Sequence, residues 1–271
     1  MNAERYEEII TRGAAVNLST RAKWRLSGAD RVRYLNGQVT NDVRTVSPAK
    51  TLYACVTDVK GRTCGDVFIH ATADALLLDA DADLRETLGM RLERYIVSDD
   101  AELTDVTEEW QLWHVFGPDL PAGVACERFG MPGVDVWLRS ESRLQPETGE
   151  RQSASPPEGG TPNELTAEEV ETLRILQKVP RWGHELTNET FPPEAGLEEK
   201  AMSFTKGCYI GQEVLSRIKT TGKMPRVMTP FESETAVSSG DPLNGGKVTS
   251  VTRHPLSGKW VGLMMRKFSA V

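Results

Sequence analysis

Cysteine is scarce in this 271-residue chain: there are four, Cys55, Cys64, Cys126 and Cys208, and no two form a C-x-x-C pair. That excludes a disulfide-built scaffold and reads as free thiols in a reducing compartment. Histidine is equally sparse, and His70, His114, His184 and His254 show no H-x-x-x-H or Cys-His spacing, so no metal site is expected. The G-x-G-x-x-G and P-loop patterns are missing too, which leaves dinucleotide and P-loop nucleotide binding without a motif. No apolar run approaches the roughly 18 to 20 residues of a membrane span. The opening MNAERYEEIITRGAAV carries acids where a secretory signal has a basic and then an apolar stretch, so a cytoplasmic location is expected. Positive charge is in deficit: 32 Lys plus Arg against 39 Asp plus Glu give a net charge of −7. A chain of that balance does not bind nucleic acid or anionic lipid with its whole surface, and direct nucleic-acid contact is not expected.

What is present is an ordinary globular composition, 39% hydrophobic and 26% charged. Residues 140–163, SESRLQPETGERQSASPPEGGTPN, are crowded with Pro, Gly, Ser and Glu and hold one large aliphatic residue, Leu144. Such a segment buries too little apolar area to offset its ordering entropy and reads as a linker or insertion. It divides the chain into 1–139, 140–163 and 164–271, and the last part divides again at 220 where strand-like sequence begins. Asp66–His70 and Ala75–Ala80 read as a strand hairpin, and Trp110–Phe116 as another strand. After the hairpin, Asp83 can cap a helix with Glu86 three residues on, and Leu84, Leu88 and Leu92, continued by Tyr95, form an apolar stripe. Thr166 and Glu169 spell a capping box that opens a helix with Val170, Leu173 and Leu176 inward, ending before Pro180. Val248–Arg253 and Trp260–Met265 flank the turn His254–Gly258, so the tail reads as a small antiparallel barrel or sandwich.

The stretch richest in chemistry is Phe204–Arg217, FTKGCYIGQEVLSR. A helix starting near Tyr209–Gly211 would turn its unpaired N–H groups and positive dipole toward Cys208, and with Lys206 nearby would favour the thiolate. Two readings follow: an activated thiol, or a small residue filling a tight junction between Gly207 and Gly211. Glu213 and Arg217, at i and i+4, can pair on one helix face.

The run KGCYIGQEVLSR at 206–217 resembles the signature of the YgfZ family, folate-binding proteins of iron-sulfur cluster assembly related to the aminomethyltransferase, or T-protein, of glycine cleavage. Three further segments resemble elements of that family in matching order: Leu35–Asp42 (LNGQVTND), Thr57–Arg62 (TDVKGR) and Phe191–Leu197 (FPPEAGL). The resemblance implies an α+β fold of α/β subdomains around a channel that admits tetrahydrofolate, closed by a C-terminal antiparallel β-barrel. It implies Cys208 as the chemically active residue. It further implies Asn41, Asp42, Asp58, Lys60, Glu194, Gln212, Glu213 and Arg217 as channel residues. Tyr209, Trp182, Arg181, Lys219 and Lys223 are candidates for an apolar wall and for holding the folate glutamate tail. Implied partners are iron-sulfur proteins or cluster carriers, tRNA-modifying enzymes among their clients.

Two departures bear on activity. The T-protein reads the pterin with an acid in an R-x-E-x-G motif, whereas Arg174–Lys178 (RILQK) places Leu176 and Lys178 at the Glu and Gly positions. Of the acids in its G-G-x-x-D-D element, Gly61–Asp66 keeps only Asp66. An accessory factor is therefore the leading reading. A folate-dependent one-carbon transferase using Asp58, Asp66 or Glu213 is the second, and an interaction module using Lys219–Arg226 the third. Shortening 140–163 to a few Gly and Ser residues is expected to change stability by no more than about 1 kcal/mol, because loop-closure entropy varies slowly with length. Chemical denaturation of the shortened chain checks this, and a cooperative loss of fold would refute the linker reading.

Overall fold

The computed structural model describes residues 1–140 and 163–268; the expected linker lies outside the described residues except at its two ends. In chain order the elements before it are α1 (Ala3–Arg12), β1 (Ala14–Asn17), β2 (Ala22–Ser27), α2 (Arg31–Gln38), β3 (Leu52–Thr57), β4 (Thr63–Ala71), β5 (Leu76–Ala80), α3 (Arg85–Glu93), β6 (Glu102–Asp105), β7 (Trp110–Phe116), β8 (Val124–Arg128) and β9 (Met131–Arg139). After it come α4 (Ala167–Leu176), α5 (Glu198–Ala201), α6 (Gln212–Thr221), β10 (Arg226–Ser233), β11 (Pro242–Leu243), β12 (Gly246–Arg253) and β13 (Trp260–Lys267). No described helix is long and apolar enough to cross a membrane.

The strands form three sheets whose neighbouring strands pair antiparallel: β3-β4-β5-β2-β6, β1-β7-β9-β8 and β10-β13-β12-β11. The first owes its core to β-branched and leucine-rich strands covered by α2 and by the Leu84, Leu88, Leu92 stripe, all three fully buried. Tyr95 does not continue the stripe, because α3 ends at Glu93 and leaves it 37% exposed. Nor does Asp83 cap: Asp81 accepts from the Asp83 N–H and caps a 3-10 turn, and α3 starts after it. The tail is a curled sheet, a half-barrel whose β12–β13 hairpin turns at the expected residues.

The capping box at Thr166 forms as expected and α4 stops at Leu176. Its Thr172, Leu173, Arg174 and Ile175 are all buried, because the helix lies between the second sheet and the half-barrel. Leu173 packs with Ile9, Val16, Leu112 and Phe116. The N-terminus is tied to the same place. Leu165 N–H donates to Ala15 O (2.9 Å), Ala15 N–H to Asn163 O (3.1 Å), and Arg5 Nε to Glu169 (2.7 Å).

Between the first two sheets lies a polar cluster. Arg128, 3% exposed, donates to Asp79 (2.6 and 3.0 Å) and to Asp135 (2.8 to 3.0 Å), with its guanidinium 3.8 Å from the Phe68 ring centroid. Arg21 also pairs with Asp79. Burial alone would raise the Asp135 carboxyl, but Arg128 and His114 outweigh it and hold it well below the usual carboxylate range. Burial holds His114 below the usual imidazole range, so the ring is neutral and its Nδ1–H donates to the ionised Asp135 (2.9 Å).

Replacing Arg128 with Met leaves buried Asp135 without its cation and Asp79 with Arg21 alone, and is expected to cost about 3 to 5 kcal/mol in urea unfolding at pH 7. Because the folded pKa of Asp135 is depressed, its contribution is present above the unfolded value of about 3.9 and is lost as pH falls below that. Asp135→Asn should show a shallower acid limb than the parent, and an identical limb would remove Asp135 from the account.

Candidate functional site

A cavity of about 640 Å³ opens where the first two sheets, the start of α4 and the segment after α4 meet. From β3 and β4 come Tyr53, Asp66 and Phe68, and from the second sheet and its turn Glu127, Arg128 and Phe129. Residues 177–182 add Lys178, Arg181 and Trp182, and the stretch before α5 adds Ala195–Leu197. Asp66 is 9% exposed, and burial raises its carboxyl above the usual range. The Tyr53 hydroxyl donates to it at 3.0 Å. Arg21 reaches the same wall, and its Nη2 is buried without a partner among the described residues. Arg128 and Arg21 are fixed by Asp79, so this end of the cavity is rigid, aromatic and charged. Lys178 and Lys200, both exposed, stand elsewhere on its lining. Such a space suits a flat heteroaromatic ring that offers hydrogen-bond donors to Asp66, with an anionic tail toward the lysines.

α4 is tied to the half-barrel through Glu171 and Arg174, which also line the cavity. Arg174 pairs with Glu171 (2.7 Å) and with fully buried Glu185 (3.1 Å), which accepts from Thr249 and Ser250 hydroxyls at 2.6 Å. Lys178 adopts φ 57°, a left-handed conformation that suits the glycine of the T-protein motif better than a lysine.

None of the nine residues expected from the sequence lines this cavity; Trp182 and Arg181 do, and Tyr209, Lys219 and Lys223 do not. The nine are instead spread over an adjoining face. Asp42 caps a 3-10 turn and pairs with Arg44 at 2.7 Å. Asp58 accepts from the N–H groups of Lys60 and Arg62 (2.8 Å each), the work of a turn residue, and Lys60 is exposed. Glu194 is fully buried, and its oxygens accept from Phe191 N–H (2.9 Å) and Arg226 N–H (2.8 Å), which joins the 192–195 turn to β10. Gln212 is half-buried, and Glu213 and Arg217 are exposed without an ion pair between them. Only Asn41 touches the cavity wall, through its amide: Nδ2 donates to the backbone oxygen of Tyr53 (2.9 Å), with a weaker contact to that of Lys200 (3.4 Å).

Cys208 is exposed, unlike buried Cys55 and Cys126 and half-buried Cys64. It does not sit at a helix start. α6 begins at Gln212, behind Gly211 at φ 88°, where a Cβ would meet the Asp58 carbonyl at 2.5 Å. Nor does Lys206 serve the thiol. Its Nζ is buried and donates to the backbone oxygens of Asn36 (2.6 Å), Val39 (2.8 Å) and Asn41 (2.7 Å), filling the C-terminal end of α2. Ile210 is pinned by its N–H to Gly37 O and its carbonyl to Thr57 Oγ1. The three sequence motifs therefore do converge: the 41–42 and 57–62 turns and the 206–211 loop form one unit, with Gly207 and Cys208 projecting between two anchors.

Sequence reasoning missed Tyr53, Phe68, Arg128, Glu127 and Arg21 as lining residues. Asp66 was reached only as an acid retained from another family's motif. Strand alternation carries the signal that was available, since β8 buries Val124, Cys126 and Arg128 alternately and an arginine in such a row demands a buried acid.

Residues 2–122 match the family model described as the GCVT N-terminal domain. An aminomethyltransferase of Rubrobacter xylanophilus is 27% identical over 95% of this chain and 77% of its own length. A protein of Phaeosphaeria nodorum described as "Iron-sulfur cluster assembly factor IBA57 homolog, mitochondrial" is 27% identical over 76% of this chain, which spans about half of that protein, 52%. The crystal structure of glycine cleavage system aminomethyltransferase T from Bartonella henselae superposes with a TM-score of 0.78 over 97% of this chain and 81% of that one, at 13% identity. The fold is therefore that of the glycine cleavage T-protein.

Burial lowers the Lys206 ammonium to about 8 from its usual value near 10.5. The unfolded chain then binds the extra proton between pH 8 and 10.5, so this lysine's contribution to stability rises with pH across that window. Measured by urea unfolding, the stability of the parent minus that of Lys206→Met should increase from pH 8 to pH 10.5, by at most about 1.4 kcal/mol per pH unit. A constant difference would show that the ammonium is not desolvated.

Proposed function

We propose that the protein binds a reduced folate in the central cavity and acts as an accessory factor in the assembly or repair of iron-sulfur proteins, as YgfZ proteins do, tRNA-modifying enzymes among its clients. The observation that carries the folate half is Asp66 with Tyr53 at the closed end of an aromatic, cation-bearing cavity. There the carboxylate takes the pterin-reading part that Leu176 gives up, Phe68, Phe129 and Trp182 wall the rings, and Lys178, Arg181 and Lys200 hold the glutamate tail. Residues 1–139 and 164–220 build the folate-binding part and 221–271 the half-barrel that closes it. The iron-sulfur half rests on the KGCYIGQE run and on the similarity to the Phaeosphaeria nodorum protein described as an iron-sulfur cluster assembly factor. Cys208, held out on the anchored loop, is the residue that meets a cytoplasmic iron-sulfur protein or cluster carrier. Folate supplies a one-carbon carrier when bound; the chain's own residues bind and orient it.

One observation favours a second reading, a folate-dependent one-carbon transferase. Asp66 is a buried carboxyl raised above its usual range and exposed to the cavity, which is how a general acid is prepared. Turnover of methylene groups on tetrahydrofolate by the purified protein, lost in Asp66→Asn, would decide for it.

Titration with tetrahydrofolate under reducing conditions should quench Trp182 fluorescence saturably, and Asp66→Asn should weaken binding about 10- to 100-fold, the cost of one charged hydrogen-bond partner. Failure to saturate at millimolar ligand sinks the folate reading. Cys208→Ser should fold and bind folate as the parent does, yet leave iron-sulfur enzyme activity unrestored in cells lacking the protein. Full restoration removes Cys208 from the function.

A further inference from the structure

The inner face of the second sheet carries a set of side chains that neither the cavity nor the folate reading uses. His114 on β7 stands opposite Asp135 on β9, and Cys126 on β8 opposite Gly133 on β9. All point to the same face. The imidazole leans over Gly133, where an added Cβ would lie 2.9 Å from both Cε1 and Nε2. A ring nitrogen of His114, the Cys126 sulfur and an Asp135 oxygen lie within 4.8 Å of one another, and all three residues are buried.

Donor by donor, the set is half spent. Asp135 accepts from Arg128 through both oxygens and from His114 Nδ1–H, so it has no free position for a metal. Its hydrogen bond fixes the imidazole tautomer and leaves the Nε2 lone pair bare. That nitrogen is buried, in a residue with no exposed surface, and has no partner among the described residues. An acceptor so placed costs stability unless something fills it. An imidazole oriented by a carboxylate through Nδ1, with Nε2 free on a face shared with a thiol, is the arrangement by which proteins prepare a histidine for a metal.

We propose that His114 and Cys126 form a buried two-donor site for a soft monovalent d10 cation, copper(I) by class, with Asp135 as the residue that orients His114. One nitrogen and one sulfur at ordinary metal-ligand lengths of about 2.0 and 2.3 Å reach about 4.3 Å in a line, inside the 4.8 Å that bounds the Cys126 sulfur and a ring nitrogen of His114. Thiolate and imidazole select such an ion over harder ones. Charge selects it over a divalent one. Arg21 and Arg128 face Asp79 and Asp135, two charges of each sign, so the surroundings are neutral. Binding breaks the Cys126 S–H bond, the proton leaves to solvent, and a thiolate with a monovalent cation keeps the total at zero. A divalent ion would leave one buried positive charge with only two protein donors.

The test uses copper(I) itself, anaerobically, on the full chain carrying Cys208→Ser so that the exposed thiol takes no part. This chain should retain one copper per molecule against a colorimetric copper(I) chelator, with an X-ray absorption first shell of one sulfur and one nitrogen. Adding Cys126→Ser should lower retention at least tenfold, and adding His114→Gln should weaken it tenfold or more. No retention by the Cys208→Ser chain overturns the proposal. So does a sulfur-only shell, or full retention after Cys126→Ser. Absorption on the Cys208→Ser chain decides the matter even where a second substitution impairs folding.

Discussion

The packing of the first two sheets, and the cavity that opens between them, depend on one buried cation. Arg128 reaches from the second sheet into the first and is met by Asp79 from one and Asp135 from the other. Two sheets that pack through leucines can slide by a residue at modest cost. Two sheets joined by a five-donor fork gripping two carboxylates cannot, because any slip leaves a desolvated charge. The same guanidinium lies against Phe68 and forms part of the cavity wall, so the constraint that sets the sheet registry also sets the shape of the binding space.

A second charged group does comparable work elsewhere. The Lys206 ammonium closes the carbonyl end of α2 and holds the loop that carries Cys208. The cavity and the presented thiol are thus separate places built by separate cations. Asn41 connects them, its amide on the Tyr53 backbone and its carbonyl on Lys206, and so does β3, which carries Tyr53 at the cavity and Thr57 against Ile210.

Local pattern made much of the fold legible. The Trp110–Phe116 strand, the capping box at Thr166, the leucine stripe of α3 and the hairpin turning at His254–Gly258 stand where alternation, caps and turn residues put them. Motif resemblance carried the architecture further, to the T-protein fold. It carried the site less far. Asp42, Asp58 and Glu194 have carboxylates engaged with nearby N–H groups, a use that a conspicuous turn or cap motif always permits and that no spacing distinguishes from ligand binding. The residues that do line the cavity come from strands far apart in sequence, and their meeting is a property of sheet packing. Cys208 gained prominence from a helix start expected near Tyr209–Gly211; α6 begins at Gln212 with Gly211 in a left-handed conformation as its N-cap, which leaves Cys208 outside the first turn.

The attachment of the N-terminus to residues 163–169 has a consequence for how the chain folds as it is made. β1 finds its sheet partner, β7, about a hundred residues later, and its free flank is covered only when Asn163 and Leu165 arrive. The wall of the second sheet that packs on Leu173 stays open to water until α4 has been synthesised. The first sheet needs neither and closes on its own leucine core, so its residues form the early cooperative unit. Docking of α4 is then the late step, and the loop it closes is the one that runs from Arg139 to Ala167.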